Sequence, residues 1–243
     1  MGFKLSYKSY GSKAILIEWI PKIDIDILND IISFRERIQE KANDTILDVI
    51  IGYNSLTIVY KYDVLDFEKE TNHLKKIYKE KFDSKSIERY LWEIPVCYDI
   101  QFGLDLSGIS SKTNLSIQEI IQLHQQTIYT VYFIGFLPGF LYLGGLETQL
   151  FVDRKSNPRL HVEKGSVGIG GRQTGIYPSH SAGGWNIIGK TPVNFFNVDL
   201  ENPCFANSGD QIKFISISLD EYQSIEESIK NNTYSLSKTL LYD

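Results

Sequence analysis

Cysteine is nearly absent from this sequence. The chain of 243 residues has only two cysteines, Cys97 and Cys204, which lie far apart and are flanked by apolar residues or proline. Two such cysteines cannot supply the disulfide framework of a small secreted protein, and they are typical of a reducing compartment. We therefore expect a cytoplasmic protein whose fold depends on a hydrophobic core.

The sequence also lacks an excess of positive charge. Lysine and arginine number 25 against 30 aspartates and glutamates, so the net charge is -5, and the basic residues form no dense cluster. A nucleic-acid interface needs clustered cations to contact phosphates, so this composition argues against that class. A hydrophobic content of 42% is ordinary for a globular protein and excludes disordered and coiled-coil chains.

No hydrophobic run is long enough to cross a bilayer. Residues 120–146 carry no formal charge, but their strongly apolar part, 131–146, has only 16 residues and contains Pro138 and four glycines. A transmembrane helix needs about 20 apolar residues. This stretch therefore predicts a buried strand followed by a glycine-proline loop, with no membrane contact.

Several common catalytic motifs are missing as well. The sequence has no G-x-S-x-G nucleophile elbow, no H-E-x-x-H and no C-x-x-C. These absences remove local support for acyl-hydrolase, zinc-protease and thiol-redox chemistry. Because His161, His180 and Cys204 also lack the spacing of metal ligands, we predict no bound metal.

The amino-acid composition of the chain changes sharply along its length. Residues 61–89 hold 15 charged side chains, whereas residues 135–189 hold 12 of the 18 glycines and only 8 charges. A chain of this length has room for two domains of ordinary size. We predict an α+β domain over residues 1–90, followed by a mainly β, barrel-like domain over residues 91–243.

Apolar periodicity predicts the element order β-β-α-β-β-α in the first domain. The predicted strands and helices are a strand around Phe3, Leu5 and Tyr7, strands at 14–20, 46–53 and 56–62, and helices at about 26–41 and 66–81. This order is typical of a small sandwich with helices on one face of the sheet. The charged face of the second helix is expected to be solvated.

One helix stands out in the second domain. Ser116 and Glu119 form a capping box, and apolar residues then recur at helical spacing, which predicts a helix over about 117–129. His124 lies on its apolar face. It is either a core histidine, or a general acid or base that faces a cleft, because an ordinary histidine pKa near 6.5 suits proton transfer.

Residues 184–191, Gly-Trp-Asn-Ile-Ile-Gly-Lys-Thr, match the literal pattern of a phosphate-binding P-loop. A P-loop must leave a buried strand and open a helix. Here a loop precedes the motif, and Pro192 with the alternating Val193 and Phe195 leaves no room for a helix. The motif therefore predicts a strand over 185–188 and then a turn.

The densest glycine signal spans residues 165–178 and continues at 183–184. Glycines this frequent let a backbone pass close to a ligand or to another backbone. The hydrogen-bonding side chains among them are Arg172, Gln173, Thr174 and Tyr177, and Trp185 adds a flat apolar wall. The segment is either a site for a carboxylate, amide or phosphate, or only a tight corner of the barrel.

Several segments of the second domain, taken in their order along the chain, resemble one known family. They are IPVCY (94–98), FGLDL (102–106), LH (123–124), Tyr129, VYFIGFLPGF (131–140), YLGGL (142–146), PR (158–159), GSVG (165–168), QTGIYP (173–178) and GGW (183–185). With these segments the chain resembles the B subunit of prokaryotic 5-oxoprolinase, a family also called allophanate hydrolase subunit 1 or Kip-type kinase inhibitor. The resemblance implies a cyclophilin-like β-barrel.

The resemblance also implies a reaction and partners. With the C and A subunits of 5-oxoprolinase, the family hydrolyses 5-oxo-L-proline to L-glutamate, coupled to ATP cleavage, and this chain alone would be inactive. The location of the ATP site among these subunits is left open. Two alternatives remain from the same family names: a regulatory protein that inhibits a sensor histidine kinase, and a carboxyl-transfer or allophanate hydrolase role in urea metabolism.

Candidate site residues follow if the barrel domain lines the active site. Arg172 or Arg159 would bind a carboxylate or phosphoryl group, because the guanidinium fork suits both. The full set comprises His124, Arg172 and Gln173 as catalytic residues and Arg159, Thr174, Tyr177 and Trp185 as substrate-binding residues. Where the family commonly has Pro-Arg, this chain has Val152-Asp153-Arg154, so the role of Arg154 stays open.

Overall fold

The computed structural model describes residues 2–41, 44–80 and 87–241. The chain divides into two compact units, Met1–Ile87 and Glu88–Asp243. The boundary lies three residues before the predicted one at 90/91. The reason is that Arg89 and Tyr90 already pair with Leu241 and Leu240 in the last strand of the second unit.

The first unit is a four-stranded antiparallel sheet with two helices. Its elements are β1 (Ser6–Ser9), β2 (Ala14–Glu18), α1 (Ile25–Glu40), β3 (Ile46–Ile51), β4 (Ser55–Tyr60) and α2 (Phe67–Lys79), with the strands in the order β1-β2-β4-β3. The predicted order β-β-α-β-β-α is confirmed. Lys81, the last residue of the second predicted helix, lies outside the described residues.

Alternation and capping explain this first unit. Ile15 and Ile17 on β2 are fully buried, and so are Leu56 and Ile58 on the neighbouring β4. Such period-two burial is the pattern of a strand with one face on the core. Helix α1 begins where the Asp24 carboxylate accepts a hydrogen bond from the second following backbone N–H, which satisfies an otherwise orphaned donor.

The second unit is a closed barrel of seven strands. The barrel strands are β5 (Arg89–Cys97), β6 (Ile128–Ile134), β7 (Leu141–Gly144), β9 (Ser166–Gly170), β10 (Gln173–Ile176), β12 (Asn186–Lys190) and β13 (Gln211–Ile217). They follow the order β12-β9-β10-β7-β6-β13-β5, and the pairing of β12 with β5 closes the ring. This confirms the predicted fold class, an α+β domain followed by a mainly β, cyclophilin-like barrel.

Three further strands and three α-helices belong to the described part of the second unit. They are β8 (Arg159–Val162), β11 (Ser181–Gly183), β14 (Lys238–Leu241), α3 (Leu106–Thr113), α4 (Ile117–Gln126) and α5 (Leu219–Lys230). Strands β8 and β11 form a separate two-stranded ribbon, and β14 pairs with β5. None of the helices in the described part of the chain is long and apolar enough to cross a membrane.

Helix α4 shows where the sequence prediction holds and where it is wrong. The Ser116–Glu119 capping box is present in both directions. The predicted end at residue 129 is wrong, because Thr127 has extended backbone angles and Ile128 already begins β6. Tyr129 is fully buried in the barrel core and pairs with β13, so strand pairing takes over from the helical pattern.

The literal P-loop pattern forms a strand. Residues Asn186–Lys190 are β12, and the last of them pairs with Cys97 at the point where the barrel closes. No helix follows in the described residues up to β13. The predicted strand is confirmed, although it lies one to two residues further along the chain.

Candidate functional site

The inner and outer faces of the barrel wall carry different residues. On β9, Val167 and Ile169 are fully buried in the barrel core. Their neighbours Ser166, Gly168 and Gly170 therefore face outward, because successive side chains of a strand point to opposite sides. The glycine-rich segment thus forms part of the outer surface of the barrel.

The outward glycines make room for one tryptophan. A Cβ atom at Gly170 would lie 2.7 Å from the Trp185 indole nitrogen, and a Cβ atom at Gly175 would lie 3.0 Å from the Trp185 ring. Both distances are below the separation of about 3.5–4.0 Å at which carbon atoms pack best. These glycines are therefore the floor on which the Trp185 ring lies.

We expect Gly170→Ala to displace the Trp185 ring and to lower the free energy of unfolding by about 1–3 kcal/mol, because inserted methyl groups strain a packed region. Chemical denaturation measures the change, and the near-ultraviolet circular dichroism reports the tryptophan environment. Gly108→Ala is the matched control. Gly108 lies in α3, a Cβ atom there meets nothing within 4 Å, and alanine should stabilise that helix by about 0.5–1 kcal/mol. Equal effects of the two substitutions would contradict the assigned role of Gly170.

Aromatic rings surround a cleft of about 310 Å³ on this outer face. We call it the aromatic cleft, and its lining comprises Phe136, Phe140, Tyr142, Arg154, Lys155, Pro158, Tyr177, Ala182, Gly183, Gly184 and Trp185. The Phe140 ring is edge-on to the rings of Tyr177 at 5.2 Å and Trp185 at 5.5 Å between centroids. Such edge-to-face pairs fix ring orientations.

The polar groups of the aromatic cleft include two cations, Arg154 and Lys155, and two phenols. The Arg154 guanidinium carbon lies 5.5 Å from the centroid of the Trp185 ring, which is a cation–π distance. Burial raises the pKa of Tyr142 and of Tyr177. Both phenols therefore keep their protons at neutral pH and can donate hydrogen bonds. The cleft can hold a small ligand with an apolar body and an anionic or acceptor group.

Asp105 binds two cations from the segment that borders the aromatic cleft. Its carboxylate accepts hydrogen bonds from Arg159 Nη1 and Nη2, both at 2.8 Å, and from Lys155 Nζ at 2.7 Å. It also accepts one from the backbone N–H of Ile187 at 2.7 Å. Burial alone would raise the Asp105 pKa, but the hydrogen bonds from Arg159 and Lys155 outweigh it, so the pKa is lowered.

The predicted substrate-binding role of Arg159 stays a prediction, and the contacts of its guanidinium in this cluster bear on it. Both terminal nitrogens of its guanidinium bind Asp105, and this hydrogen bonding raises the Arg159 pKa. Arg159 does not line the aromatic cleft. Its fork is therefore not available to clamp a substrate carboxylate there, and it holds the residue 155–159 segment against the barrel.

His124 lies inside the barrel. Its side chain is fully buried and its ring stacks on Phe214 at 4.5 Å. Nδ1 lies 2.8 Å from the Tyr98 hydroxyl, and Nε2 lies 2.9 Å from Oγ1 of Thr174. The Thr174 hydroxyl itself donates to the Gly168 carbonyl. Its oxygen must then accept from Nε2–H, which makes His124 a neutral Nε2–H tautomer that accepts from Tyr98.

This environment is that of a core histidine. Burial lowers the His124 pKa to about 3, so the ring is uncharged at neutral pH, and both its nitrogens have protein partners. It does not line the aromatic cleft. The geometry favours the structural interpretation over proton transfer for His124, and Thr174 shares its buried position.

The remaining predicted residues take separate positions. Gln173 is 8% exposed, and its Nε2 makes no hydrogen bond within the described part of the chain. It lies on the same outer face of β10 as Gly175 and opposite Gly170, the two glycines that lie against the Trp185 ring, and it is not part of the cleft lining. Arg172 is exposed, with its guanidinium carbon 5.8 Å from the Phe151 ring centroid.

The structure thus brings Tyr177 and Trp185 together in one cleft, with Gln173 beside it. Sequence analysis missed the aromatic walls Phe140 and Tyr142, although the aromatic residues that recur over 132–142 could have indicated them. No local signal could have revealed the Asp105 cluster, because Asp105 is 50 residues from Lys155 and 54 from Arg159 in the chain.

Among the described residues, the geometry supports neither a metal site nor a disulfide. Within residues 2–41, 44–80 and 87–241, no group of three or more His, Cys, Asp and Glu residues could hold a metal ion. Cys97 and Cys204 are both free thiols, and burial raises the pKa of each. A thiol with a raised pKa is a weak nucleophile at neutral pH.

The closed seven-stranded barrel, with a glycine-lined cleft on its outer wall, indicates the class of domain to which this chain belongs. The chain matches the family model for the carboxyltransferase domain, subdomain C and D, over residues 5–206. It is also similar to the crystal structure of TTHA0988, with a TM-score of 0.73 and 30% sequence identity over 85% of this chain. That structure is longer, because this chain spans 40% of it.

Curated relatives narrow the class. The chain is 33% identical to the 5-oxoprolinase B subunit of Bacillus subtilis over 93% of this chain and 99% of that protein. It is 39% identical to the 5-oxoprolinase B subunit of Haemophilus influenzae over 84% of this chain and 94% of that protein. The chain belongs to the family of 5-oxoprolinase B subunits.

Proposed function

We propose that this chain acts as the B subunit of an ATP-dependent 5-oxoprolinase complex that hydrolyses 5-oxo-L-proline to L-glutamate. The observation that carries the proposal is the similarity to the B subunit of a bacterial 5-oxoprolinase along nearly the whole of both chains. The partners would be the C and A subunits, and the chain would be inactive without them. ATP would supply the activation that an unstrained, weakly electrophilic lactam lacks before water can attack it.

We assign no ATP-binding step to this chain. Its literal phosphate-binding pattern is a barrel strand rather than a loop that opens a helix, so its backbone N–H groups pair with other strands. The donor arrangement that holds a triphosphate is therefore not present at this motif. We therefore propose that the partner proteins bind ATP.

The aromatic cleft is the proposed binding site for the lactam. The apolar ring carbons of 5-oxoproline would lie against Trp185 and Phe140. Arg154 forms no ion pair within the described residues and lies over the Trp185 ring, so its guanidinium is available for the substrate carboxylate. The unpartnered Nε2 of Gln173 would donate to the lactam oxygen.

Two predicted contributions stay as proposals. Gln173 keeps its predicted role in the reaction, and Gln173→Ala in the assembled complex should lower turnover. Arg172 is exposed and could reach a partner protein or a phosphoryl group held by that partner. Arg172→Ala should then lower turnover without preventing assembly.

We expect Arg154→Gln to raise the KM for 5-oxoproline about 10- to 100-fold, because one charge-assisted hydrogen bond contributes about 1.5–3 kcal/mol. The measurement is steady-state turnover of the reconstituted complex at varied 5-oxoproline concentration. Arg154→Lys should recover part of the loss. Lys112→Gln, an exposed cation on α3, is the control and should leave KM unchanged. An unchanged KM in Arg154→Gln would contradict binding of the substrate in this cleft.

A carboxyl-transfer role in urea metabolism is the second candidate, because the matching family model describes a carboxyltransferase domain. The same reconstituted mixtures distinguish the two reactions. ADP release that depends on urea rather than on 5-oxoproline would favour carboxyl transfer. Inhibition of a sensor histidine kinase stays a prediction, which a direct autophosphorylation assay with this chain would test.

A further inference from the structure

Phe136 has a backbone conformation that is unusual for its residue type. Its φ angle is +68°, in the left-handed region that glycine and asparagine adopt more easily than other residues. Two other residues besides glycines have a positive φ in the described part of the chain, and both are asparagines, Asn114 and Asn232. A bulky side chain in this region is strained, and such strain persists only where the surrounding structure holds it in place.

The turn around Phe136 holds that conformation. The Gly135 N–H donates to the Phe140 carbonyl at 3.1 Å, and the Phe140 N–H donates to the Leu137 carbonyl at 3.0 Å. The turn is also packed closely at Gly139, where a Cβ atom would lie 2.9 Å from a carbonyl oxygen of another loop. These contacts fix the turn and therefore the position from which Phe136 projects.

Packing does not explain why a phenylalanine stands at this strained position. Its side chain is 62% exposed, and its ring contacts Phe140 edge-on at 5.6 Å between centroids. A ring with this exposure contributes only part of the stabilisation that full burial would give. Backbone strain without a matching gain in packing is a feature of functional sites rather than of a folded core.

The exposed ring belongs to the aromatic cleft. Phe136 lines this cleft together with Trp185, and the Arg154 guanidinium lies over the Trp185 ring. The cleft therefore offers a cation and an apolar ring that is largely open to solvent. A ligand with an anionic group beside an apolar ring can contact both.

We propose that Phe136 is a specificity-determining residue of the aromatic cleft, which contacts the ring carbons of the bound lactam and limits the size of the ring that the cleft accepts. This inference rests on the proposed function, because it takes the lactam as the ligand. Since the turn already fixes the position of Phe136, little conformational freedom is lost there when the lactam binds.

Steady-state turnover of the reconstituted complex measures this contact. Phe136→Ala and Phe136→Asn should each raise the KM for 5-oxoproline about 10-fold, because an apolar contact is lost, and Phe136→Leu should recover most of the loss. A six-membered lactam acid, 6-oxopiperidine-2-carboxylate, serves as the competitor. The ratio of its inhibition constant to the KM for 5-oxoproline should fall about 10-fold in Phe136→Ala, because the missing ring leaves room for one more methylene group.

Chemical denaturation of the full chain separates this role from a structural one. Phe136→Asn should not lower the denaturation midpoint, because asparagine tolerates the left-handed conformation. Phe67→Asn is the matched control. Phe67 is 36% exposed and begins α2 with an ordinary negative φ. Its replacement relieves no strain, so it should lower the midpoint and leave the KM unchanged.

Three results would overturn the inference. The first is a wild-type KM and a wild-type preference for the five-membered lactam in Phe136→Ala and Phe136→Asn. The second is a fall of the midpoint in Phe136→Asn as large as that in Phe67→Asn. The third is loss of binding to the C subunit in the Phe136 variants, which would make the ring a contact to a partner protein. A wild-type complex that does not turn over 5-oxoproline would instead contradict the proposed function, and this inference with it.

Discussion

Replacing His124 by alanine should lower the free energy of unfolding by about 3–5 kcal/mol, the range for large buried rings cut back to a methyl group. The substitution removes the stacking on Phe214, leaves the Tyr98 hydroxyl without its acceptor and removes the donor to Thr174 Oγ1. Chemical denaturation measures the loss. His180→Ala is the control, because His180 is exposed and should change stability by less than about 0.5 kcal/mol. A mild effect in His124→Ala would contradict its core position.

The buried His124 should also make stability depend on pH. Its pKa is about 3 in the folded protein and about 6.5 in the unfolded chain. Below pH 6.5 the unfolded chain therefore binds the extra proton, so this residue's stabilising effect is full above pH 6.5 and falls as the pH decreases toward 3. Between pH 7 and pH 5 the expected loss is about 2 kcal/mol. His124→Gln should lack this component, and identical pH profiles for both proteins would contradict a buried neutral ring.

Replacing Asp105 by alanine should cost about 3 kcal/mol, near the lower end of the range for breaking a buried ion pair. The lower end applies because Arg159 and Lys155 keep side-chain exposures of 25% and 31%, which lets water compensate part of their charge. The Ile187 backbone N–H also loses its acceptor. Thermal and chemical unfolding measure the effect, with Glu226→Gln at an exposed i, i+4 pair as the control.

The effect of Asp105 should also depend on pH, with a defined sign. Its folded pKa is lowered, so its contribution is present above the ordinary aspartate pKa of about 4 and is lost as the pH falls below that value. The difference in stability between the wild type and Asp105→Ala should therefore shrink in acid. A difference that stayed constant down to about pH 2, below the ordinary aspartate pKa, would show that the cluster is not held by charge.

The elements of this fold follow from local sequence signals. Alternating apolar residues mark the strands of the first unit, and the Ser116–Glu119 capping box marks the start of α4, because each depends on neighbours within a few residues. The end of α4 does not follow from local signals. Ile128 and Tyr129 continue the helical pattern in sequence, and only pairing with β13 assigns them to a strand.

The candidate site was only partly predictable for the same reason. Trp185 and Tyr177 could be selected because they lie among glycines, and the structure places both in one cleft. His124 could not be assigned from sequence, since an apolar helix face favours a core histidine but is also consistent with a cleft. The pairing of Arg159 with Asp105 could not be predicted from local sequence, because it joins residues 54 positions apart.

The most direct test of the account is 5-oxoproline-dependent ADP release. It should be measured with this chain alone, with the C subunit added, and with the C and A subunits together, and also with those two partners when this chain is omitted. The account predicts release only in the mixture of all three proteins. It is contradicted if the complete mixture of folded proteins stays silent, or if the two partners release ADP equally well without this chain.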